Sequence, residues 1–60
     1  MERWVFATIY ETKRAVYINL SIATMMERMG DYTIVRFADG TNFEVLEEPL
    51  DLIRNIIKQP

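Results

Sequence analysis

The apolar positions of the chain fall into blocks that predict its elements. The first, Arg3-Trp4-Val5-Phe6-Ala7-Thr8-Ile9-Tyr10, is aromatic and β-branched without Gly or Pro, which predicts a strand. Both of its faces are apolar: Trp4, Phe6 and Tyr10 on one, Val5, Ala7 and Ile9 on the other. Such a strand needs cover on both sides. Glu11-Thr12-Lys13-Arg14 breaks the pattern. Ala15-Val16-Tyr17-Ile18-Asn19-Leu20 then alternates, with Val16, Ile18 and Leu20 together on one face.

Residues 21–30 admit two readings. Ile22, Met25, Met26 and Met29 stand at i, i+3, i+4 and i+7, a helical stripe with Ser21 placed as N-cap and Gly30 as the residue after its end. Taken instead as a strand, residues 23–28 lead directly into the next one.

The hairpin that follows has a register fixed by its side chains. Thr33-Ile34-Val35-Arg36-Phe37 and Thr41-Asn42-Phe43-Glu44-Val45 flank Ala38-Asp39-Gly40. A two-residue Asp-Gly turn would pair Arg36 with Phe43 and Val35 with Glu44, mixing polar and apolar on both faces. A three-residue loop pairs Thr33 with Val45, Val35 with Phe43 and Phe37 with Thr41. Arg36 and Asn42 then share the other face, with Ile34 opposite Glu44. Only that register separates core from solvent, and a slip of one residue destroys it. It requires a type I turn with Gly40 in the left-handed region.

The last block predicts a helix. Pro49 suits its first position, Glu47, Glu48 and Asp51 its positive end, and Lys58 its negative end. Leu50, Leu52, Ile53, Ile56 and Ile57 cover an arc of about 160° at helical spacing. That is wide for so short a helix, and a partner subunit is one way to cover the excess.

Tyr17-Ile18-Asn19-Leu20, then Ile22, then residues 33–40, Phe43-Glu44-Val45-Leu46-Glu47 and the apolar C-terminal block form a pattern of their own. It resembles the small FlbD-type proteins found among bacterial flagellar genes, over roughly Tyr17 to Ile57. Their pattern is a first hairpin, an Ile-Asn segment, a strand ending near Ile-Glu, a Gly-tipped hairpin, then Val-x-Glu and a helix. Met26-Glu27 stands at the Ile-Glu place. The resemblance implies a bent strand over residues 21–30, the reading adopted, and a flagellum-associated role. It supplies no catalytic residue. The chain departs from the family at Thr12-Lys13-Arg14, where an Asn-Gly turn is usual, and at Trp4, which has no evident counterpart.

Composition narrows the chemistry. Sixty residues, half of them apolar and 27% charged, make one domain spanning residues 1–60 and no disordered tail. A chain this short has a stability of about 3–9 kcal/mol. There is no Cys and no His, so disulfides, thiolate metal sites, thiol nucleophiles and imidazole chemistry are excluded. No cofactor, metal or catalytic residue is expected, and the protein is read as a non-enzyme. Glu47, Glu48 and Asp51 are explained by the helix start and lack the Asp-rich loop of a hard-cation site. No apolar run is long enough to span a membrane, and Met1-Glu2-Arg3-Trp4 lacks the layout of a signal peptide, so the expected location is the cytoplasm.

The fold expected is α+β: an antiparallel meander of about four strands followed by one amphipathic C-terminal helix. The function expected is a protein-interaction module acting as a homodimer or higher closed oligomer, with Trp4, Phe6, Ile53 and Ile57 as shared contacts and a further protein partner not identified by the sequence. The alternative is a small nucleic-acid-binding regulator with Arg3, Lys13, Arg14 and Arg36 on phosphates and Tyr10, Tyr17 and Tyr32 as stacking platforms. A net charge of −2 speaks against nucleic acid as a partner.

Overall fold

The first apolar block pairs with the second because a tight polar turn lets them meet antiparallel. In the computed structural model, which describes residues 3–55, β1 (Trp4–Thr8) runs against β2 (Ala15–Asn19), with Val5 opposite Ile18 and Ala7 opposite Val16. A 3-10 turn at Leu20–Ile22 redirects the chain; the Asn19 side chain caps it, accepting from the Ser21 N–H. Then follow β3 (Ala23–Met29), β4 (Tyr32–Phe37), β5 (Asn42–Val45) and one short helix, α1 (Pro49–Arg54). The readings that fall on Met1, Glu2, Ile56, Ile57 and Lys58 lie outside the described residues.

Residues 21–30 hold a strand, not a helix. The methionine spacing that mimics a helical stripe is split by the pleat. Met26 lies half-buried against the core, while Met25 and Met29 are exposed on the other face. Gly30 opens the two-residue loop to β4 at φ +72°, and Asp31 stays out of the positive-φ region, the pattern of a type II′ hairpin.

A four-stranded meander is corrected to five strands in two sheets, β1-β2 and β3-β4-β5. The 3-10 turn swings β3 away from β2, so these consecutive strands do not pair. The end of β1 instead reaches β5, through a bridge between Ile9 and Val45 and bonds from Tyr10 N–H to the Glu44 carbonyl and from Leu46 N–H to the Thr8 carbonyl. The hairpin register is the one required by the sequence: Thr33, Val35 and Arg36 face Val45, Phe43 and Asn42. Phe37 N–H donates to the Thr41 carbonyl, Gly40 N–H to the Phe37 carbonyl, and Gly40 sits at φ +92°.

The inner faces of both sheets meet in one core of Val5, Ala7, Ile18, Leu20, Val35, Phe37, Val45 and Leu52. The helix contributes Leu52 alone among the described residues; Leu50 and Ile53 of the expected arc stay exposed.

Candidate functional site

The β1-β2 hairpin has an inner and an outer face. Val5 and Ala7 are completely buried, so the outer face carries Trp4, Phe6 and Tyr17. Phe6 and Tyr17 meet edge to face at 5.9 Å between ring centroids, yet Tyr17 remains 62% exposed and Phe6 44%. Trp4 is half-buried. Of the expected shared contacts, Phe6 and Ile53 are thus on the surface, Trp4 is partly covered and Ile57 lies outside the described residues.

The ladder shows which way the backbone of β2 points. Leu20 N–H donates to the Arg3 carbonyl at one end and Ile9 N–H to the Arg14 carbonyl at the other. Bonded pairs recur at every second residue of an antiparallel ladder, so Val16 and Ile18 bond to β1. Ala15 and Tyr17 turn their N–H and C=O groups outward, and Asn19 its N–H. No described residue pairs with them. Beside this edge lies an open, largely apolar cleft of about 340 Å³ lined by Tyr17, Ile18, Asn19, Ile22, Phe37, Asp39, Thr41 and Phe43. Phe37 and Phe43 meet edge to face across its floor at 5.7 Å.

The cations of the alternative reading are dispersed. Arg3 starts the hairpin and Lys13 and Arg14 turn its far end, about 20 Å away at ~3.3 Å per residue. The Arg3 N–H is held by Asn19 Oδ1 and Ser21 Oγ. Lys13 Nζ donates to the Tyr10 carbonyl at 2.6 Å and stands 4.6 Å from the centre of the Tyr10 ring. Arg36 is exposed on β4, opposite Asn42 and Met25. Tyr10 and Tyr32 lie against each other at 4.8 Å, away from Tyr17.

Two residues act over long distances in sequence. Arg28 is a clamp: Nε donates to the Gly30 carbonyl, and Nη1 to Thr33 Oγ1 and the Leu46 carbonyl. It satisfies Thr33, the one buried polar residue among those described. Glu47 does not serve the helix start; its side chain accepts from Thr8 across 39 positions of sequence. Glu48 is the helix N-cap and makes no side-chain capping bond. Among the described residues no three acidic side chains gather closely enough to hold a metal ion, and no helix is long and apolar enough to cross a membrane. Comparison with family models, with curated proteins and with solved structures gives no match.

Proposed function

We propose that the protein is a non-enzymatic protein-interaction module that works as a homo-oligomer in the cytoplasm. One observation carries the reading. Eight large apolar side chains are exposed among the described residues, as many as the eight apolar residues in the buried core. They include Phe6, Tyr17, Ile22 and Phe43 around the cleft and hairpin, and Leu50 and Ile53 on the helix. Contiguous apolar surface on a small domain marks an interaction site. A second copy also improves the poor surface-to-volume ratio of a chain without disulfides.

The test is light scattering across a size-exclusion peak at low micromolar concentration. The expected mass is two or more chains of 7.1 kDa; a sharp peak at 7.1 kDa that does not change with concentration overturns the reading. The module is assigned a regulatory or flagellum-associated accessory role, supported by the FlbD-type pattern between Tyr17 and Ile57. Loss of motility on deletion of the gene tests that assignment, and unchanged motility removes it.

A further inference from the structure

We propose that two copies of the chain join along the free edge of β2, strand to strand and antiparallel, about a two-fold axis through Tyr17. The inference rests on the self-association reading above and names its surface.

The edge itself is the first argument. Strand edges that stay single are blunted by charge, proline, bulges or cover. Ala15-Val16-Tyr17-Ile18-Asn19 has no charged residue and no proline, and its ladder is regular. Of the other sheet edges, β3 carries Glu27 and Arg28 and a bulge between Ala23 and Met25, β5 carries Glu44, and β1 and β5 are bridged to each other at Ile9–Val45, with Thr8 bonded to Leu46 and Glu47. Self-pairing therefore selects β2.

The register follows from symmetry. With Tyr17 on the axis, Tyr17 meets Tyr17 of the second copy and Ala15 meets Asn19, which engages all the outward N–H groups of the strand. On the outer face the Phe6–Tyr17 contact continues into its symmetry mate, a run of four rings that covers the most exposed aromatic side chain described. The added strand also lies along the apolar cleft that borders the same edge.

Charge identifies the occupant as a second copy. The Asn19 end of the cleft carries Asp39. The opposite end of β2 is followed back into Arg14 and Lys13, and the Arg14 side chain has no partner among the described residues. Antiparallel pairing sets Arg14 of each copy opposite Leu20 of the other, beside Asn19 and the Asp39 end. The complementary contact is made twice. An unrelated peptide would have to bring its own cation to that place; this chain already carries it.

Residue-resolved amide exchange on the unmodified protein, over a concentration series, tests the proposal together with light scattering. The Ala15, Tyr17 and Asn19 amides should gain at least tenfold protection as dimers fill. Tyr17→Pro removes an N–H that faces away from β1 and so spares the β1 ladder. It should yield folded 7.1 kDa monomers. Arg14→Glu, a change in an exposed turn, should raise the dimer dissociation constant about tenfold at low salt, where surface charge is least screened. A wild-type dimer whose Ala15 and Tyr17 amides exchange alike at every concentration, or which Ile53→Asp dissociates while Arg14→Glu leaves intact, overturns the β2 edge and leaves self-association standing. A wild-type monomer throughout removes both.

Discussion

Glu47 completes a rung that the backbone leaves open at Thr8. Leu46 N–H donates to the Thr8 carbonyl, but the reciprocal bond is not made; the Leu46 carbonyl accepts from Arg28 Nη1. The two side-chain oxygens of Glu47 take its place, one accepting from the Thr8 N–H at 2.8 Å and the other from the Thr8 hydroxyl at 2.9 Å. A side chain thus finishes the seam between the two sheets where the chain turns off toward the helix.

Removing that side chain strands the Thr8 N–H in a partly buried seam. Glu47→Ala should cost about 1–3 kcal/mol, the usual penalty for an unsatisfied buried donor. Glu47→Gln keeps one acceptor oxygen and should cost less. A double-mutant cycle with Thr8→Val, read by urea melts, checks the pairing. Additive effects of the two changes would show that the hydroxyl bond contributes nothing to stability.

Two positive-φ residues should respond in opposite directions to substitution. At Gly40, φ +92°, a Cβ would meet no atom within 4 Å, so conformation alone limits the site. Gly40→Val should cost about 1–3 kcal/mol and lower the melting temperature by several degrees. Lys13 is the one non-glycine described at positive φ, at +61°, in the first hairpin turn. Lys13→Asn supplies a residue that tolerates the left-handed region and should add about 0.5–1 kcal/mol, less whatever the Lys13–Tyr10 contact contributes. Thermal melts of both variants against wild type decide each sign.

The contrast between these two turns shows what was legible. The hairpin of residues 33–45 was readable because Val35, Phe37 and Val45 must face one way, and a slip by one residue would expose all three. Its glycine followed from the loop length. The split into two sheets was hidden, because it depends on the 3-10 turn at Leu20–Ile22, which has no strong local signature. Residues 21–30 also admitted a helix by coincidence, because unbranched methionines suit helix and strand alike; the strand adopted is the element found, and its local signal was Gly30-Asp31 as a hairpin loop. Glu47 and Arg28 act over distances of 39 and 18 residues, and Glu47 had an adequate local explanation at the helix start. At the surface, exposure of Phe6 and Ile53 was legible from excess apolar area. The β2 edge was missed, although five uncharged residues in an edge position were there to be read.

Acid should loosen the tip of the second hairpin. The Thr41 hydroxyl, at 2.7 Å, and the Thr41 N–H, at 3.0 Å, both donate to Asp39 Oδ1 and hold its carboxyl below the ordinary value of 3.8, with the hydroxyl bond the larger cause. A group whose folded value is depressed contributes stability fully present above its unfolded value and lost as pH falls through the folded one. The melting temperature should therefore decline as pH drops below about 4. Asp39→Asn, which keeps an oxygen acceptor but does not ionise there, should show a shallower decline over that window. Parallel acid profiles for wild type and Asp39→Asn would sink the assignment.

The helix offers the sharpest separation of folding from assembly, because neighbouring residues face opposite environments. Leu52 is completely buried in the core and Ile53 is 53% exposed. Leu52→Ala removes buried methyl groups and leaves a cavity, at a cost of about 2–5 kcal/mol. Against a total stability of about 3–9 kcal/mol, that should leave a substantial unfolded population at 37 °C. Ile53→Ala removes half-exposed surface and should change the stability of an isolated chain by less than about 0.5 kcal/mol. If the helix face also takes part in assembly, Ile53→Ala becomes concentration-dependent: its melting temperature matches wild type when dilute and falls behind when concentrated, because a bound partner stabilises only the folded state. Equal melting temperatures for wild type and Ile53→Ala at every concentration would confine assembly to surfaces other than this helix.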